Sequence, residues 1–61
     1  MGKMVAQAYD ETVSEALDHG HTPETAHREG ITAAAMLLAA LGNIDDSVAI
    51  REVEALNLHI D

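Results

Sequence analysis

The sequence predicts an all-α domain of three helices with a central apolar helix 2, and three observations lead to this fold class. Eleven of the 61 residues are alanine, and alanine, leucine, methionine and glutamate favour helix by intrinsic propensity. Apolar residues recur every three or four positions along most of the chain. Residues 31–41 (ITAAAMLLAAL) are apolar on nearly every face, and a helix of that kind must be buried on every face.

The first predicted helix covers residues 3–19. Its apolar positions form one broad face and its polar positions form the other. Gly20 follows it and suits the left-handed position just past a helix end, where a missing Cβ removes the steric cost. The apolar face is made of Met4, Val5, Ala8, Tyr9, Val13, Ala16 and Leu17.

The second predicted helix, residues 23–41, has the clearest start signal in the chain. Thr22 is a favourable N-cap, Pro23 suits the first helical position, and Glu24 places a negative charge at the positive end of the helix dipole. Gly42 is expected to close the helix.

A glycine inside helix 2 predicts a close helix contact. Gly30 costs about 1 kcal/mol relative to alanine in a helix interior, which indicates a packing reason for its presence. One stripe of the helix carries Ala26, Gly30, Ala34 and Leu38, and the opposite face carries Ala33, Met36, Ala39 and Ala40. Only helix 3 or a second subunit could cover that opposite face.

The third predicted helix covers residues 46–57, with several competing N-cap residues between positions 43 and 47. The end of this helix is ambiguous. Leu56, Leu58 and Ile60 alternate with polar residues, which is the period of a strand. A short C-terminal strand over residues 56–60, paired with its mate in a second copy across a two-fold axis, is therefore an alternative to helix.

The chain's length predicts one small domain, residues 1–61, that needs support from a partner. Chains of this size bury only about 60% of the surface that they expose when unfolded. The sequence contains 0 cysteines, so disulfides cannot supply the support. We expect a homodimer whose interface comprises Ala26, His27, Gly30, Ala33, Ala34, Met36, Leu37 and Ala40.

The net charge of -8, with three basic residues, disfavours direct binding to nucleic acid or to an anionic membrane. The apolar run 31–41 is about half of the ~20 residues that a helix needs to cross a bilayer. No secretory signal is evident at the N-terminus. These features predict a cytoplasmic protein.

Three histidines, His19, His21 and His27, are weak candidates for metal ligands. Imidazole and carboxylate ligands suit zinc, nickel or iron, but the spacing of these histidines fits no HExxH-type motif. His19 and His21 also suit the C-terminus of helix 1 simply as cations. We therefore expect no metal and no other cofactor, and a histidine-based metal-binding protein remains an alternative.

No arrangement typical of an enzyme is present, so we predict a non-catalytic acidic module for protein–protein interaction, acting as an adaptor, a regulator or an inhibitor. An alternative function, imitation of DNA, depends on the acidic surface of helix 1. A row of carboxylates at helical spacing can imitate DNA phosphates, as in phage-encoded inhibitors of nucleic-acid-binding or defence proteins. That surface comprises Asp10, Glu11, Glu15 and Asp18.

Overall fold

A computed structural model of the chain describes residues 2–60. Three helices follow one another: α1 (Gly2–Asp18), α2 (Pro23–Gly42) and α3 (Asp46–Ala55). No strand occurs within this range, so the predicted all-α fold of three helices is confirmed. Each helix end lies within two residues of its predicted position.

α2 packs against both other helices. A four-residue connection returns the chain from α1 to α2, and between α2 and α3 the chain direction turns by 117°. The protomer is elongated, with principal dimensions of 33 × 19 × 17 Å.

The end of α1 is fixed by Gly20, as predicted. Its φ is +87°, in the left-handed region that glycine adopts without steric cost. The N–H of Gly20 donates to the carbonyl of Leu17 at 3.0 Å, and the N–H of His21 donates to the carbonyl of Ala16 at 3.0 Å. This pair of bonds is the Schellman motif, which satisfies carbonyls that the helix end leaves unpaired.

The start of α2 is also as predicted. Thr22 is the N-cap, its hydroxyl accepts a hydrogen bond from the N–H of Thr25 at 3.2 Å, and Pro23 opens the helix. The prediction that Gly42 closes α2 is wrong. Gly42 is the last helical residue, and Asn43, with φ of 53°, takes the left-handed position. Asparagine is one of the few residues with a side chain that visits this conformation routinely.

α3 begins after Asp45 and is shorter than predicted, because Asn57 adopts a φ of 56° just beyond the helix. Residues 58–60 are neither helix nor strand, so the alternative of a C-terminal strand is wrong for the protomer. Leu58 and Ile60 pack on the core, while His59 between them is exposed. That packing explains the alternation of apolar and polar residues.

The core is built mainly from small side chains. Within residues 3–60, five of the ten buried apolar residues are alanine, and the largest fully buried side chains are Tyr9, Val5 and Val53. Many of the large apolar side chains lie on the surface instead: Met4, Leu17, Met36, Leu41, Val48, Ile50 and Leu56. Each buried alanine removes little apolar area from water, while these larger side chains remain in contact with solvent.

Candidate functional site

The exposed face of α2 is apolar at its centre. Met36 is 65% exposed, Ala40 one turn later is also exposed, and Ala33 one turn earlier is half-buried. These residues recur at spacings of three and four, so they lie on one side of the helix. Because both neighbours of Met36 along this side are alanine, another helix could approach closely here.

A groove between α2 and α3 adjoins this face. It has a volume of about 230 Å³ and is lined by Thr32, Ala35, Met36, Asp46 and Ile50. An apolar cavity of about 150 Å³ can hold a benzene molecule, so the groove has room for one large aliphatic side chain. Met36 therefore forms both part of an exposed ridge and one wall of the groove beside it.

Residues 30–44 include no charged side chain, although the chain carries a net charge of -8. The C-terminal half of α2 is consequently the largest uncharged part of the sequence. Asp46, at the start of α3, is the charged residue that borders the groove. The apolar surface and the carboxylates are thus largely segregated along the chain.

Three of the predicted interface residues lie inside the protomer. Ala26, Gly30 and Ala34 are buried, and Gly30 packs against α1. A Cβ at Gly30 would lie 2.7 Å from both Tyr9 Cδ1 and Val13 Cγ2, closer than such atoms can approach. These residues therefore pack the helices of one protomer together. Met36 and Ala40 remain exposed, and Ala33 and Leu37 are half-buried.

His27, another predicted interface residue, is half-buried and joins α2 to α1. Its Nδ1 lies 2.6 Å from the hydroxyl of Tyr9, and the two rings meet edge to face with centroids 5.5 Å apart. His27 also borders a cleft whose lining includes Arg28 and Glu54. The sequence placed Tyr9 on the apolar face of helix 1 and His27 in the predicted interface, but did not predict that the two form a pair.

The three candidate metal ligands do not come together. His19 and His21 border a small pocket of about 200 Å³ near Glu15 and Glu29, whereas His27 lies in the cleft described above. The Nδ1 of His19 hydrogen-bonds to the carbonyl of Glu15 at 2.8 Å. Within residues 2–60, no three histidine or carboxylate side chains are placed to hold a metal ion.

The carboxylates of the predicted acidic surface do lie together. Asp10, Glu11, Glu15 and Asp18 are exposed and border one shallow depression along α1, with Ser14 among them. The depression is formed by residues of this helix alone.

No single helix in the described range is long and apolar enough to cross a membrane. Only α2 and α3 taken together, as a bent pair, have the length and the apolar composition that such a crossing requires.

The sequence matches no protein-family model, and no curated protein or solved structure is significantly similar to it.

Proposed function

We propose that the protein is a non-catalytic, acidic protein-interaction module that assembles as a homodimer and acts on another protein as an adaptor, regulator or inhibitor. The observation that carries this proposal is an alanine-rich core combined with large apolar side chains on the surface. The core relies on alanine and valine, while large apolar side chains such as Met36 and Leu41 lie on the surface.

Burial energetics support the need for a partner. Each Å² of apolar surface removed from water contributes about 25 cal/mol, and alanine contributes little area. The accessible surface of 4228 Å² exceeds the about 3,800 Å² expected for a globular chain of this mass. A small chain with these properties gains stability when a partner covers the remaining apolar surface.

Sedimentation equilibrium of the purified protein tests the assembly. We expect a dimer, with a mass twice the chain's 6.5 kDa, at micromolar concentration. A monomer throughout that range would contradict the homodimer. Binding to another protein is tested separately. The proteins encoded by the neighbouring genes can be screened by two-hybrid experiments, and partners can be sought by co-purification from the native host.

A second function is favoured by the acidic depression on α1. Asp10, Glu11, Glu15 and Asp18 lie along one exposed side of a helix, so they could imitate a row of phosphates to a basic nucleic-acid-binding or defence protein. If the protein is such a mimic, it should compete with DNA for binding to that partner. Affinity should fall steeply with salt, because exposed charges are screened over ~10 Å at 0.1 M. Binding that is insensitive to salt would exclude mimicry.

A further inference from the structure

The apolar surface of α2 and α3 combines a ridge with an adjacent groove. Met36 projects from the ridge with 65% of its surface exposed, and the groove beside it has Ala35 and Ile50 among its walls. A two-fold interface requires that one patch be complementary to itself. A flexible side chain next to a groove of matching size meets that requirement, because methionine adapts its shape to irregular gaps.

The spacing along α2 supports packing of this helix against its own copy. Ala33, Met36 and Ala40 follow one another at intervals of three and four residues, the seam pattern of helices that pack side by side. Alanines on both sides of Met36 permit a short distance between the two helix axes. The exposed face of α2 also extends the contact beyond the groove, and standard interfaces bury about 800 Å² on each partner.

The charge distribution favours a second copy over a basic protein as the occupant of this surface. Two chains that each carry a charge of -8 repel each other wherever their carboxylates meet. Residues 30–44 carry no charge, and Asp46 is the one carboxylate in the lining of the groove, so contact across this half of α2 brings few carboxylates together. A basic partner protein would instead gain most from the acidic surfaces elsewhere.

We propose that two copies associate around a two-fold axis close to Met36, each chain placing this side chain against the groove between α2 and α3 of the other. This inference rests on the homodimer proposed above and specifies its surface. The contact comprises Thr32, Ala33, Ala35, Met36 and Ala40 of α2 with Asp46 and Ile50 of α3.

A matched pair of substitutions tests the surface. Met36→Glu places a charge at the centre of the contact, while Met4→Glu makes the same change on α1, where Met4 is 55% exposed. We expect Met36→Glu to raise the dimer dissociation constant at least tenfold in sedimentation experiments, and Met4→Glu to leave it within twofold. If Met36→Glu leaves the dimer intact, the assigned contact surface is wrong but the homodimer is not contradicted. If the wild-type protein is monomeric, both proposals are wrong.

Cross-linking keeps the test decisive if Met36→Glu fails to fold, which circular dichroism detects. The chain contains 0 cysteines, so single-cysteine variants are unambiguous. Met36→Cys should form a disulfide-linked dimer under mild oxidation at concentrations where Met4→Cys does not. Equal cross-linking of the two variants would contradict the proposed axis.

The salt dependence distinguishes a second copy from an oppositely charged occupant. Because like charges repel, screening should strengthen self-association, so the dissociation constant should fall between low and high salt. A dissociation constant that rises with salt would overturn the assignment, since it would show that attraction between opposite charges holds the complex together.

Discussion

The hydroxyl of Tyr9 lies 2.6 Å from Nδ1 of His27, and this hydrogen bond joins α1 to α2 at the edge of the core. Tyr9 is 1% exposed and is the only aromatic residue of the Phe, Trp and Tyr class in the chain. Buried tyrosines normally place their hydroxyl against a hydrogen-bonding partner. The pair therefore allows the largest side chain of the core to be buried with its polar end satisfied.

The Tyr9–His27 contact should be measurable as a coupling free energy. A net hydrogen bond contributes about 1 kcal/mol, so we expect Tyr9→Phe to lower the free energy of unfolding by about that amount. In a double-mutant cycle with His27→Ala, urea denaturation at fixed protein concentration should give a coupling of about 1 kcal/mol. Strictly additive effects would show that the two side chains do not stabilise each other.

Gly30 should be intolerant of any side chain. Gly30→Ala places a Cβ 2.7 Å from Tyr9 and Val13, so these side chains, or the helix that carries them, must shift. Overpacking of this kind costs about 1–3 kcal/mol, partly offset by about 1 kcal/mol of improved helix propensity. We expect a lower urea midpoint for Gly30→Ala.

Gly42→Ala is the matched control for Gly30→Ala. A Cβ at Gly42 would meet only Ile44 atoms at 3.9 Å, which is ordinary contact, so this variant should be as stable as the wild type or slightly more stable. If the two alanine variants had equal stability, close packing at Gly30 would be refuted.

The cap at the start of α2 should contribute to stability through one hydroxyl. Thr22→Ala removes the acceptor for the N–H of Thr25 and should cost about 0.5–2 kcal/mol. Thr22→Ser retains the hydroxyl and should cost clearly less. Thermal unfolding of the two variants, followed by circular dichroism, makes the comparison, and equal losses would argue against the cap.

The left-handed position after α2 should discriminate between side chains. Asn43 has a φ of 53°, a conformation that costs most residues with a Cβ about 1–2 kcal/mol. We therefore expect Asn43→Ala to destabilise the protein and Asn43→Gly to preserve or increase its stability. Chemical denaturation measures both, and a more stable alanine variant would contradict the assigned conformation.

The parts of the fold that could be predicted from the sequence depend on local interactions. Thr22 and Gly20 mark helix ends because capping and the left-handed turn act within a few residues of the chain. The sequence predicted Gly42 in the left-handed position, but the adjacent Asn43 takes it, and both residue types accept a positive φ. Helix periodicity alone does not decide between them.

The candidate surface was only partly predictable, because it depends on which faces of α2 the other helices cover. The stripe of Ala26, Gly30 and Ala34 suits either a second subunit or α1, and in the structure Tyr9 and Val13 of α1 pack against it at Gly30. The sequence did not predict that Ile50 lines the groove beside Met36, for the same reason. Its place beside Met36 follows from the angle at which α3 crosses α2, and no local pattern encodes that angle.

Isotope-filtered NMR on a mixture of labelled and unlabelled chains tests most directly whether a second copy covers the apolar surface. Only contacts between different chains appear in such spectra. A dimer that packs through this surface should give intermolecular cross-peaks from the methyl group of Met36 to methyl groups of Ile50 and Ala35. A dimer without these cross-peaks, or with intermolecular contacts confined to other surfaces such as α1, would contradict that packing.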